Sequence, residues 1–235
     1  MERRSRYLCA ERIRKLQSIA VLLLLSLVSF LLGSIPCGVL ISKVFFHKDV
    51  RDEGSGNIGF TNSMRSMGKV GGGAVFVGDF LKGMLAAAIG LYVAPIFLTG
   101  AQFPLCENPA ELTAALATFF ATMGHIFCPW LGWKGGKGIS TAFGASFISM
   151  SVPVACILFG AFLLVVLATK YVSAGSVTAA ALYPLAAFVT HWNSPLPALI
   201  LSVAGLVVIW AHRGNNVRIK NGTERKIGAS KKSDN

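Results

Sequence analysis

Long apolar runs separated by short polar connections dominate the chain. They fall at roughly 18–42, 71–99, 110–132, 139–169, 172–191 and 196–211. A helix needs about 20 residues to cross the hydrocarbon core of a bilayer, and each run is long enough, or flanked in the right way, to read as a crossing. The fourth has 31 residues, too many for one ordinary span. Pro153 sits near its middle, where it cannot donate a helical hydrogen bond. Dividing that run into 139–150 and 152–169 gives seven predicted helices.

Composition agrees with the pattern. Apolar residues make up 54% of the 235 positions and charged residues only 14%, where a soluble domain carries about a quarter. The predicted fold class is therefore an all-α integral membrane protein, a seven-helix transmembrane bundle with some short or broken helices. The five cysteines (Cys9, Cys37, Cys106, Cys128 and Cys156) lack paired spacing. They read as free thiols rather than as disulfides or a zinc site.

A net charge of +12 would suggest nucleic acid in a soluble chain. Here the basic residues cluster between particular spans: Lys43, Lys48, Arg51, Arg65 and Lys69, then Lys134 and Lys137, then Lys170, then a tail with Arg213, Arg218, Lys220, Arg225, Lys226, Lys231 and Lys232. The connections at 100–109, 150–152 and 192–195 hold no Lys or Arg. Seven spans put every basic loop on one side, the cytoplasmic one, with the N-terminus outside and the C-terminus in the cytoplasm. The basic arm over residues 1–17, with Arg3, Arg4, Arg6, Arg12, Arg14 and Lys15, runs against that rule. Span one is read as a retained helix despite it. The division is then a basic arm (1–17), a polytopic membrane domain (18–212) and a basic cytoplasmic tail (213–235) whose first part completes the site.

Three connections on the basic side carry unusual chemistry. Residues 54–65 read Gly-Ser-Gly-Asn-Ile-Gly-Phe-Thr-Asn-Ser-Met-Arg. Gly54, Gly56 and Gly59 let backbone N–H groups turn toward one anion. Ser55, Asn57, Thr61 and Asn62 add neutral polar groups, and Arg65 a planar fork suited to phosphate. The second is Lys134-Gly135-Gly136-Lys137-Gly138 before a predicted helix N-terminus, a common way to hold phosphate. It lacks Walker A spacing. The third is His212-Arg213-Gly214-Asn215, followed by Glu224; His212 and Asn215 share a face if helical. Each alone is also an ordinary connector; all three on one side suggest a phosphate site at one mouth of the bundle. Asp79 and Lys82, three apart within an apolar run, read as a structural ion pair supporting it. His125 reads as a core histidine, and His47 and His191 as interfacial.

The series Gly33-Ser34-Ile35-Pro36, the 54–65 stretch, Asp79 with Lys82-Gly83, Gly124-His125, the 134–138 loop and residues 212–224 resembles the bacterial acyl-phosphate:glycerol-3-phosphate acyltransferases, the PlsY family, from about Gly33 to Glu224. Three positions depart from the family pattern: Phe60 where alanine is usual, Pro129 one place late, and Ser140 before Thr141. The resemblance implies a multi-pass enzyme of the bacterial plasma membrane. It would move a fatty acyl group from acyl phosphate to the sn-1 hydroxyl of glycerol 3-phosphate, giving lysophosphatidic acid and inorganic phosphate in the first step of phospholipid synthesis. It implies Ser55, Arg65, Lys137, His212 and Asn215 as the central residues; the reading of the loops adds their neighbours as substrate-binding residues and Asp79, Lys82 and Glu224 in support. No metal, coenzyme A or other cofactor is expected, and no partner beyond the two substrates and membrane lipid.

Two other classes fit less well. A transporter of phosphorylated solutes would place its groups near the midplane of two related halves. A metal-dependent phosphatidyl-alcohol transferase would need more acids than Asp49, Asp52 and Glu53.

Overall fold

A computed structural model describes residues 2–227, with side chains from residue 11 onward. The arm's first basic side chains and the end of the tail lie outside that range. Every extended element described is helical: α1 Glu2–Gly33, α2 Cys37–Phe46, α3 Phe60–Ala88, α4 Pro109–Ile126, α5 Ile139–Ser149, α6 Val152–Thr169, α7 Val172–Thr190, α8 Pro195–Ala211 and α9 Arg213–Lys220. Five segments are long and apolar enough to cross a membrane. A sixth forms if α8 and α9, bent by 49° at His212, count as one, and α5 is a shorter apolar helix of 11 residues. The protein is an all-α integral membrane protein. Leu23, Leu24 and Leu27 on α1 and Ile157, Leu164 and Leu167 on α6 are all more than half exposed, as suits side chains facing lipid.

Two boundaries differ from the sequence reading. The apolar run at 18–42 is not one helix, because the chain breaks between Gly33 and Cys37. Pro36 lacks an N–H and biases Ile35 away from helical geometry. The backbone freed there must find partners inside the membrane. Lys82 Nζ donates to Ile35 O at 2.7 Å, and Cys128 Sγ contacts Ser34 O at 3.1 Å. Trp130 Nε1 donates to Ser34 Oγ at 2.8 Å. The second difference is α3, which is kinked at Gly68 (φ +72°, ψ −171°): the stretch beyond the kink matches the predicted run from 71, and a further helical stretch begins at Phe60, so Thr61, Asn62 and Arg65 are helical rather than in a loop. The apolar run starts just past that kink, and the turns before it line the polar mouth.

Helices approach closely where side chains are small. A Cβ on Gly83 would run into the Thr141 carbonyl and one on Gly144 into that of Phe80, so α3 and α5 meet backbone to backbone. The connections sort into two ends. At one end, Arg65 Nη2 donates to Arg225 O at 3.2 Å and Ile227 N to Lys170 O at 2.8 Å. At the other, Leu196 N donates to Leu105 O at 3.0 Å and Glu107 N to Ser194 Oγ at 3.3 Å. The basic loops share the first end. Arg14, against residues 96–101, lies at the second. His191 is buried rather than interfacial, with Nε2 2.8 Å from Ser149 O and Nδ1 3.4 Å from Glu111.

Candidate active site

A cavity of about 550 Å³ opens among the basic connections and runs down between α3, α5, α6, α7 and α8. Its mouth is polar and its depth apolar. Of the central candidates, Ser55, Arg65, Lys137, His212 and Asn215 all line it. So do Gly54, Asn57, Gly59, Thr61, Asn62, Gly138, Asp79 and Glu224. Gly56, Lys134, Gly135, Gly136 and Lys82 are not on its wall.

The 54–59 loop forms only part of the anion nest its glycines suggest. Gly54 and Gly56 do take positive φ, +62° and +67°, where glycine is favoured. Three of the N–H groups are already engaged by neighbouring groups, however. Ser55 N donates to Asn62 Oδ1 at 2.8 Å, Gly56 N to Glu53 O at 3.0 Å and Gly59 N to Asn57 Oδ1 at 2.9 Å. Asn62 is the brace: its Nδ2 also donates to Val50 O and Glu53 O, at 2.9 and 3.0 Å. The glycine-lysine loop folds back in the same manner, with Gly135 N on Ile126 O at 2.9 Å and Gly136 N on His125 O at 3.0 Å. Gly136 packs against the Nε2 edge of the His125 ring, and His125 Nδ1 lies 3.4 Å from Asp79 Oδ1, which also pairs with Lys82 at 2.8 Å.

The anion field comes instead from helix ends. α3 starts after Gly59, α5 after Gly138 and α7 after Tyr171, and none of these N-termini receives a side-chain cap. Phe60, Thr61, Ile139, Ser140, Val172 and Ser173, the first residues of these helices, line one cavity. Open N–H groups and the positive ends of three helix dipoles thus converge on one mouth. Arg65, Lys137, Arg218 and Arg225 add full charges. Lys137 is half-buried. Burial pushes its pKa down to about 8, helped by Arg218 and Arg65 and opposed by Glu224.

Glu224 organises the far rim. It accepts from Asn215 Nδ2 at 2.6 Å, Ser173 Oγ at 2.8 Å and Arg218 Nε at 2.7 Å. Burial opposes its ionisation, and these three hydrogen bonds outweigh it and hold the pKa below the usual carboxylate value. His212 sits at the α8–α9 bend with Nδ1 2.8 Å from Val208 O. A carbonyl can only accept, so Nδ1 carries the proton in the neutral ring and Nε2 is left as an acceptor. Among the described residues, no group of three His, Cys, Asp or Glu is placed to hold a metal ion.

The sequence reading missed Ser173, Ser176, Thr223 and Arg225, all on the cavity wall. The spacing of Ser173 and Ser176 after Lys170 was a usable signal, whereas nothing local marks 223–225 as folding over the mouth.

The family model for glycerol-3-phosphate acyltransferase matches residues 23–222. The chain belongs to this family. As a PlsY-family protein it is an integral membrane acyltransferase. It is 37% identical over 211 residues to a glycerol-3-phosphate acyltransferase of Thermosynechococcus vestitus, covering 89% of this chain and 97% of that one. It is 39% identical over 211 residues to one of Listeria monocytogenes, with 88% and 96% covered. The crystal structure of the integral membrane glycerol 3-phosphate acyltransferase PlsY in its glycerol 3-phosphate form superposes with a TM-score of 0.75 at 34% identity, covering 88% of this chain and 96% of that chain. The lysophosphatidic acid form gives 0.72 at 33%, with 88% and 95% covered.

Proposed function

We propose that this family member transfers a fatty acyl group from acyl phosphate to the sn-1 hydroxyl of glycerol 3-phosphate, releasing lysophosphatidic acid and inorganic phosphate. The observation that carries the reading is the cavity's two-part lining: a cationic mouth with three open helix N-termini, continued by an apolar slot. That suits substrates with phosphate heads, one of which has an alkyl tail.

In this scheme the glycerol hydroxyl oxygen attacks the acyl carbonyl carbon and forms the ester bond. The bond from that carbon to the phosphate oxygen breaks, and its electron pair leaves with phosphate. The mixed anhydride is already activated, so alignment and charge stabilisation are the main tasks. Arg65 and Lys137 hold phosphate oxygens. His212 Nε2 accepts from the neighbouring sn-2 hydroxyl and so holds the acceptor, Asn215 flanks it, and the departing phosphate takes the proton of the attacking sn-1 hydroxyl. Ser55 and Thr61 complete the rim, while Asp79, Lys82 and Glu224 hold its supports. No metal or coenzyme takes part in this scheme.

The mouth belongs on the cytoplasmic face of a bacterial plasma membrane, with seven crossings, the N-terminus outside and the tail from 213 inside. The basic loops at the mouth end and the Lys/Arg-free loops at the other support this.

Purified protein in lipid, given glycerol 3-phosphate with acyl phosphate or acyl-CoA, tests the chemistry. Phosphate release with acyl phosphate alone is expected, and turnover only with acyl-CoA would overturn it. For topology, Pro104→Cys in a cysteine-free background should react with an impermeant thiol reagent only from outside. Reaction from the cytoplasmic side would end the seven-span arrangement.

A further inference from the structure

The slot below the mouth has a defined end. Along α7, Ser173, Ser176, Ala180 and Tyr183 all face it. Ser173 bonds Glu224 at the rim, and Tyr183 lies ten residues further on, about 15 Å deeper at the helical rise. On α5 the lining runs from Gly138 to Ser146, about 12 Å. Phe76, Phe143, Phe159 and Phe162 wall one side, with Phe143 stacked on Phe159 at 5.2 Å.

Two lining residues, Tyr183 and Leu158, also belong to the closed core with Met150, Ala187, Ala198 and Leu201. They are where open slot becomes packed interior. Tyr183 is 5% exposed, and its hydroxyl donates to Ala142 O at 3.3 Å, which ties the ring between α7 and α5. A phosphate head is confined to the cationic mouth. The tail attached to it therefore meets the floor at a fixed distance.

We propose that Tyr183 is a specificity-determining residue that sets the longest acyl chain the enzyme accepts, with Leu158 beside it. This rests on the acyl-transfer reading above. Up to the floor, each further methylene buried improves binding by about fourfold. Beyond it, the chain must bend or displace packed side chains, and preference falls.

The test is competition: a homologous series of saturated acyl phosphates mixed in one vesicle preparation with glycerol 3-phosphate, read as the chain-length distribution of the product. Tyr183→Ala should move the optimum by about two methylenes or more, changing the ratio of neighbouring even-chain products by about tenfold. Tyr183→Phe, which keeps the floor and loses only the hydroxyl, should keep the wild-type optimum. Should Tyr183→Ala fail to fold, Ala179→Leu narrows the slot one turn above and should shift the optimum to shorter chains. An active Tyr183→Ala with the wild-type distribution overturns the proposal and means the tail leaves sideways past Phe159 into lipid. So does an active Ala179→Leu with no shift. A wild-type enzyme inert toward every acyl phosphate overturns the acyl-transfer reading instead, and this proposal with it.

Discussion

The two ends of the bundle treat helix N-termini differently. At the end away from the cavity, Asn108 Oδ1 accepts from Ala110 N at 2.9 Å and caps α4, and Ser151 Oγ accepts from Val154 N at 3.5 Å at the start of α6. α8 also lacks a side-chain cap, but it begins with Pro195, which has no N–H to satisfy, and Leu196 N is met by Leu105 O at 3.0 Å. At the cavity end, α3, α5 and α7 begin without side-chain caps. Caps serve stability. Leaving three N-termini open around one cavity keeps donors and positive potential for an anion. The contrast separates residues that hold the fold from residues that hold a substrate, and each variant below probes one side of it.

The largest effect is expected at Lys137. Lys137→Ala removes a half-buried charge from the mouth, and kcat/KM should fall by roughly 10²–10³-fold while the protein still purifies as folded. A loss under threefold would place the anion elsewhere. Arg65→Lys keeps charge but not the bidentate fork, so KM for glycerol 3-phosphate should rise by about tenfold with little change in kcat; unchanged kinetics would remove Arg65 from the site.

The Lys137 pKa of about 8 gives a pH dependence of definite sign. Below that value the ammonium is charged and binds phosphate; as pH rises through about 8 the free enzyme loses the charge. kcat/KM should therefore decline on the alkaline side, approaching tenfold per pH unit if binding requires the proton. Lys137→Arg should move the alkaline limb upward, and an identical limb in that variant would assign it to another group.

At His212 the structure supplies what the sequence could not. Among the described residues no carboxylate bonds the ring, but the Val208 carbonyl orients it. With Nε2 left to accept from the sn-2 hydroxyl and the donor's phosphate taking the proton of the attacking sn-1 hydroxyl, His212→Gln should retain measurable kcat at saturating glycerol 3-phosphate and mainly raise KM. Loss of kcat by about 10²–10⁴-fold at unchanged KM would make His212 the base.

Much of the fold was legible because spans are long and charges sort by side: the runs at 152–169 and 172–191 match α6 and α7 almost residue for residue. The break at Ser34–Pro36 was hidden, since its repair depends on Lys82, 47 residues later. Of the site, the residue types at 55, 65, 137, 212 and 215 were legible, as polar groups on basic loops. The direction of the N–H groups was not. Glycine-rich sequence permits a nest, and it is Asn62, Asn57 and the Glu53 carbonyl that engage three of those donors. The slot was invisible because Phe143, Phe159 and Tyr183 look like any apolar residue of a span.

The smallest effects bear most directly on the contrast between ends. Gly59 has φ −86° and ψ 175° at the N-cap of α3, the extended geometry a capping side chain needs. An added Cβ meets Asn57 Oδ1 at 3.1 Å, a side-chain atom that can give way. Gly59→Asp should therefore let the helix cap itself, raising the melting temperature slightly. It should also put a negative charge where the anion binds, raising KM for glycerol 3-phosphate several-fold. Asn108→Ala does the reverse. It removes a cap worth about 1 kcal/mol, lowering the melting temperature by roughly 2–4 °C, and leaves kcat/KM within about twofold because its helix start is far from the cavity. The opposite signs distinguish an open N-terminus kept for substrate from one that is merely uncapped. If Gly59→Asp stabilises the protein and leaves KM alone, the α3 terminus binds no phosphate, and the field at the mouth reduces to its lysine and arginines.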